Sequence, residues 1–179
     1  CCTSANAAQV VEAQPGDTVI MTPDGYLARN VASQVSKRVV WWEGTCMVHE
    51  RFTAEEIAAY READPETVIV AHPECPPEVI AAADFSGSTA GMIRFVREQK
   101  PAKVVMVTEC SMSDNVAAEA PETEFVRPCN LCPHMKRITL EGILWSLHAM
   151  AEEVTVPSHL VAPARDAVEA MIALTARTA

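Results

Sequence analysis

Short apolar, β-branched runs recur along this chain. Each is followed by a polar turn and most by a helical pattern, and that alternation admits few folds. The runs cover residues 18–21, 38–42, 67–71, 103–108, 124–126 and, most weakly, 154–156. They are continuously apolar rather than alternating, as strands buried on both faces are. Helical patterns lie between and after them, over 7–13, 53–63, 77–83, 89–100, 139–152 and 163–176. Thr53 with Glu56 three residues on forms a capping box, and Pro77 sits in a first turn where its missing N–H costs nothing. Met92, Ile93 and Val96 share a helix face. Strand–helix alternation predicts parallel sheets with crossover helices. The expected fold class is therefore α/β, made of layered αβα units with short parallel sheets.

In such folds ligands bind beyond the carboxyl ends of the strands. The residues there are Asp24, then Gly44-Thr45-Cys46, then His72-Pro73-Glu74-Cys75, then Ser86-Gly87-Ser88-Thr89, then Glu109-Cys110, and finally Cys129 to Cys132. Nearly every chemically capable side chain falls at one of these ends. Chance would scatter some onto helix faces, so the clustering points to an active site.

Charge and composition narrow the partners. The formal net charge of −10 argues against nucleic acid and anionic membrane surfaces. No apolar run approaches eighteen residues, so no membrane span is expected. With 49% hydrophobic residues in 179, a real core is available for one domain or two small ones. Seven cysteines at irregular spacing do not suit a complete disulfide framework and point to a reducing cytosol. The opening Cys1-Cys2-Thr3-Ser4-Ala5-Asn6 reads as the end of a strand entering a helix, as if a preceding half were missing. A trimmed terminus would look the same.

Each constellation has a chemical reading and a plainer one. Cys46, in a turn behind Trp41 and Trp42, is a metal ligand or a buried thiol. Cys129 and Cys132 form a CxxC, which suits zinc, a dithiol redox pair or iron–sulfur ligation. His49 is the nearest partner for Cys46 in a zinc reading. His72-Pro73-Glu74 sets an imidazole beside a carboxylate, for binding or proton transfer, or else caps the helix behind it. Ser88 and Thr89 open a helix where an anion could bind, and Ser88 equally serves as an N-cap; Ser4 carries the same ambiguity. His134, Lys136 and Arg137 place positive charge after Cys132, while Cys75 and Cys110 read as bystander thiols.

Five motifs, in order, resemble the quinolinate synthase family of NAD biosynthesis. They are Thr3-Ser4-Ala5-Asn6, Trp42-x-Gly44-x-Cys46-x-Val48-His49-Glu50, Ala71-His72-Pro73-Glu74-Cys75, Ser86-Gly87-Ser88-Thr89 and Cys129-Asn130-Leu131-Cys132-Pro133-His134-Met135. The resemblance implies three similar αβα domains around a pseudo-threefold axis, with a [4Fe–4S] cluster and substrate at the centre. It implies that Cys46 and Cys132 are two of three cluster ligands, the third belonging to a domain preceding Cys1. Residues 1–46 would be the second half of the middle domain, 47–132 the third domain, and 133–179 a helical segment packed on the missing first domain.

By the same resemblance Ser4, His72, Pro73, Glu74 and Thr89 line the substrate site, with Glu74 the proton-transfer group, its pKa expected to rise through burial. Cys129 would be no ligand but a disulfide partner for Cys132. The implied reaction condenses iminoaspartate with dihydroxyacetone phosphate, losing phosphate and water to give quinolinate. A cytoplasmic location and a functional link to L-aspartate oxidase are implied with it, and this fragment alone is expected to be inactive. The alternative is a zinc-binding or thiol-redox αβ domain using the CxxC pair.

Overall fold

A computed structural model describes residues 1–176 of the chain. They form two units: Cys2–Leu131, and a second made of Cys1 with the residues from Cys132 onward.

Helix α1 (Ala7–Glu12), strand β1 (Thr18–Met21), helix α2 (Gly25–Ala32) and strand β2 (Arg38–Trp41) open the larger unit. Strands β1 and β2 pair in parallel, Val19 opposite Val39 and Ile20 opposite Val40. Val11, Met21, Ala28, Val31 and Val39 close a small core beneath them. A 3₁₀ turn (His49–Arg51) then leads into α3 (Ala54–Ala63), β3 (Val68–Ala71), α4 (Pro77–Ala82), β4 (Phe85–Ser86), α5 (Thr89–Gln99), β5 (Lys103–Val107), α6 (Cys110–Glu119) and β6 (Glu124–Val126). These four strands make one parallel sheet in the order β4-β3-β5-β6.

The strand sequence shows why this sheet is covered on both faces. Successive strand side chains point to opposite sides. Ile69, Ala71, Val105 and Val107 meet Ile57 and Val79 of α3 and α4, while Val70, Val104 and Met106 meet Met92, Val96, Met112 and Val116 of α5 and α6. Each fully buried Val or Ile here contributes roughly 1.5–3 kcal/mol. The α/β class with short parallel sheets is as expected from the alternation.

Several elements differ from the sequence reading. Helices α2 and α6 are additions, as is the two-residue β4. No strand forms at 154–156, where Val154 and Val156 are exposed and no neighbouring strand offers backbone partners. The expected capping box at Thr53 and Glu56 forms, with both reciprocal hydrogen bonds made.

In the second unit a 3₁₀ turn (Met135–Arg137) precedes α7 (Leu140–Ala149) and α8 (Ser158–Ala176). Helix α8 begins a turn and a half before Pro163, which lies inside it. Large apolar side chains stay uncovered in this unit, Leu140 at 81% exposure and Trp145 at 55%. Among the described residues no helix is long and apolar enough to cross a membrane.

Candidate functional site

Sheet order places the site. From β3 the chain moves to β4 on one side, then returns past β3 to β5 on the other. Neighbouring strands with connections leaving in opposite directions open a crevice at their carboxyl ends. The segment after β3 carries His72, Pro73 and Glu74, and Thr108 follows β5; the His72 N–H donates to the Val107 carbonyl at 3.1 Å, holding the two ends together.

Helix α2 brings a second loop to the same place. Asp24 caps it, Oδ1 accepting from the Leu27 N–H at 2.7 Å, and its other oxygen accepts the Cys46 N–H at 3.0 Å. Gly44 lies so close to the preceding turn that a Cβ there would stand 2.5 Å from the Pro23 carbonyl oxygen. At the far end of α2, the Asn30 amide donates to the carbonyls of Pro73 and Cys75, at 2.8 and 3.0 Å. One short helix thus holds the Cys46 loop at its start and the His72–Cys75 loop near its end.

Cys46, His49 and Glu74 meet there, one donor atom from each lying within 4.8 Å of the other two. His49 Nδ1 stands 3.1 Å from Glu74 Oε2, and its Nε2 stands 3.0 Å from Thr108 Oγ1. The His49 ring stacks on His72 with centroids 4.5 Å apart. The Glu74 N–H donates to His72 Nδ1 at 3.3 Å. Cys46 and Glu74 open on a cavity of about 280 Å³ that Asp24, Trp42 and Thr45 also line.

Electrostatics within this group are strongly skewed. Burial opposes charge on His49, but hydrogen bonds to Cys46 and Glu74 outweigh it and lift its pKa to about 9. Burial and the neighbouring His49 charge push His72 down to about 4. The hydrogen bond to His49 holds the Cys46 thiol below its ordinary range. Glu74 is lowered too, because its hydrogen bond to His49 outweighs burial. The expectation that burial raises Glu74 is therefore corrected: a charged partner decides the sign. Asp24, by contrast, is raised by burial.

The other expected residues are distributed as follows. Ser4 and Pro73 line one cavity of about 200 Å³, shared with Leu27 and Gln34. Thr89 is exposed in the first turn of α5, whose N-cap is Ser88, accepting from the Gly91 N–H at 3.2 Å. Cys132 belongs to the second unit and is half-buried. Cys75 is fully buried, its pKa pushed up to about 12 by that burial.

Cys129 departs from expectation. It forms a disulfide with Cys110, across 19 residues of sequence, and not with Cys132. A parallel bridge between Glu109 and Asn130 brings the segments together, so the partner is supplied by tertiary pairing and not by the CxxC spacing. The zinc or dithiol reading of Cys129 with Cys132 thereby loses one of its two thiols.

Sequence reasoning passed over Thr108, Asn30 and the full role of Asp24 and His49. Asp24 did carry a signal, an N-cap residue three places before Leu27. Asn30 and Thr108 carried none, since their partners are 43 and 59 residues away.

These features define a parallel α/β protein with a thiol, imidazole and carboxylate gathered at its strand ends, a donor set that suits a metal or metal cluster. The family model described as quinolinate synthetase A protein (NadA) matches residues 1–173. The chain belongs to that family. It is 56% identical over 172 residues to quinolinate synthase 1 of Mesorhizobium japonicum, covering 96% of this chain and 53% of that one. Quinolinate synthase of Agrobacterium fabrum is 56% identical over 172 residues, 96% of this chain and 50% of its own length. That of Xylella fastidiosa strain 9a5c is 54% identical over 174 residues, 97% and 51%. The chain spans about half the length of the curated relatives it matches.

Proposed function

We propose that this chain supplies part of a quinolinate synthase that condenses iminoaspartate with dihydroxyacetone phosphate, releasing phosphate and water. Family membership and the meeting of Cys46, His49 and Glu74 beside one cavity carry the reading. Cys46 would hold a [4Fe–4S] cluster together with Cys132 and a third cysteine from the remainder of the full-length protein. The donor chemistry fits: the thiol is half-buried, faces a cavity, and is biased toward thiolate by His49. With one iron left open, such a group supplies a Lewis acid that polarises a carbonyl or hydroxyl and eases loss of water.

The chain's own residues divide the remaining work. Glu74, held ionised by His49, takes protons from substrate carbon or nitrogen. The charged His49 ring returns one or steadies a developing anion. His72, kept neutral, packs behind this pair. Ser4 offers a hydroxyl to a substrate carboxylate, and Pro73, its carbonyl held by Asn30, lines the same cavity. Thr89 at the start of α5 would take a carboxylate or the phosphate, since N–H groups of a helix N-terminus favour anions.

Residues 1–46 and 47–132 would be parts of two of three similar αβα domains around a pseudo-threefold axis. Residues 133–179 would pack on a domain contributed by the rest of the protein, which the uncovered Leu140, Leu147 and Trp145 support. Alone, the chain lacks a ligand and would be inactive. The location would be cytoplasmic, and because iminoaspartate hydrolyses readily, a supplying L-aspartate oxidase is the natural partner.

The test is Glu74→Gln in the full-length enzyme. It should keep its iron and brown colour and lose turnover by at least about a hundredfold, the usual scale of a lost acid–base group. Normal quinolinate formation by this variant would refute the role.

A further inference from the structure

We propose that Asn30 is a positioning residue for Glu74: its side-chain amide clamps the residues on either side of that carboxylate and so fixes where the carboxylate stands. The inference rests on the reading of Glu74 as the proton-transfer group, and it adds a residue that acts only through the loop carrying Glu74.

Helix formation does not call for asparagine at this place. Asparagine is a poorer helix former than alanine, leucine or arginine, yet Asn30 lies within α2 and is only 6% exposed. A buried amide needs partners, and Asn30 has them 43 and 45 residues away. Its Nδ2 donates to the Pro73 carbonyl at 2.8 Å and to the Cys75 carbonyl at 3.0 Å. Both partners can only accept, so the nitrogen and not the oxygen of the amide faces the loop. Two donors on one planar group match two carbonyls that flank Glu74. A carboxylate of the same shape has no donor for either.

The other bonds of this loop come from its own sheet. His72 is tied to Val107 of β5, and the Cys75 N–H donates to the His72 carbonyl at 2.9 Å. Asn30 instead reaches over from the element between β1 and β2. Among the described residues the two sheets share no strand pair, so a side-chain clamp does what a ladder cannot. The same helix holds the Cys46 N–H through Asp24. Asp24 and Asn30 are six positions apart, about 9 Å along a helix, and that spacing is rigid. Helix α2 therefore sets the position of the Glu74 loop against the Cys46 loop, and Asn30 is the contact through which it does so.

Steady-state kinetics of the full-length enzyme test it. Asn30→Ala should keep its iron and lower kcat at least about tenfold with KM little changed, since misplacing a reacting group by an ångström can cost about a hundredfold. Asn30→Asp keeps the shape without the donors and should do the same; it carries the test if the Ala variant does not fold. Val39→Ala, which loosens the core shared with α2 and does not touch the loop, should lower stability and leave kcat unchanged. Added to Glu74→Gln, Asn30→Ala should lower the residual turnover no further, because residues acting as one unit are not additive. Hydrogen exchange reads the clamp apart from the reaction: Asn30→Ala should expose the Glu74 and Cys75 amides while those of β3 and β5 keep their protection. Unchanged kcat in the Asn30 variants, an equal loss in Val39→Ala, a further full loss on top of Glu74→Gln, or unchanged protection of those two amides overturns the proposal. Full turnover in Glu74→Gln alone overturns the role of Glu74 and this inference with it, whereas an inactive Glu74→Gln beside fully active Asn30 variants refutes the clamp alone.

Discussion

His49 and His72 stack with ring planes 13° apart, and the two imidazoles carry opposite protonation tendencies. Two adjacent rings cannot both charge cheaply, and the partners decide which one does. His49 has Cys46 and Glu74 to share its proton, whereas His72 accepts from the Glu74 N–H. In the metal-free chain, NMR titration of the ring protons should show His49 keeping its proton to about pH 9 and His72 staying neutral to about pH 4.

Stability should follow with a defined sign. Between pH 6.5 and 4 the unfolded chain binds a proton that folded His72 refuses, so stability falls on acidification. Glu74, whose folded pKa is depressed, adds to that loss as pH drops below its ordinary range. Between pH 6.5 and 9 folded His49 keeps a proton that the unfolded chain releases, while the depressed Cys46 thiol gives up one that the unfolded chain keeps, so the two effects oppose and the alkaline limb is shallow. The acid limb is of order 1–3 kcal/mol, since one pKa unit corresponds to about 1.4 kcal/mol. Urea unfolding should show stability falling from pH 6.5 to 4, and His72→Gln should flatten that limb. Stability that is unchanged or rises from pH 6.5 down to 4 would contradict it.

Asp24 joins a helix cap to a loop tether, so its removal should act on both. Asp24→Ala should cost about 0.5–2 kcal/mol as a lost N-cap. Hydrogen exchange should show the Cys46 amide losing protection with it. Asp24→Asn keeps an acceptor oxygen for α2 and should retain most of the stability. Equal protection of the Cys46 amide in the native and Ala chains would show that the tether does not form.

Much of this fold was legible because its strands are buried on both faces. Runs such as Val104–Val105–Met106–Val107 have no polar residue to confuse them, and Thr53 with Glu56 marked a helix start. Helix α2 escaped because eight residues offer only Leu27, Ala28 and Val31 as a stripe, with Gly25 at its opening. Helix α6 escaped because Ser111, Ser113, Asp114 and Asn115 are poor helix formers, and its face reduces to Met112 and Val116. Strand β4, two residues long, carries too little pattern to read. At the site, residue types and strand ends could be read directly. The partner of Glu74, the Thr108 contact and the Cys110–Cys129 pairing could not, because each depends on which strand lies beside which.

That last pairing is directly checkable. Peptide mapping of the chain under non-reducing conditions should recover Cys110 joined to Cys129. Cys110→Ser should leave Cys129 open to alkylation, whereas Cys132→Ser should not disturb the link. Recovery of a Cys129–Cys132 peptide as the main species would restore the pairing that the family resemblance implies.

Iron and sulfide content of the anaerobically purified full-length protein tests the central claim most directly. Cys46→Ala and Cys132→Ala should each come off the column colourless and without stoichiometric iron, while Cys129→Ala should keep both iron and colour. A four-iron cluster that persists in Cys46→Ala or Cys132→Ala would contradict the account.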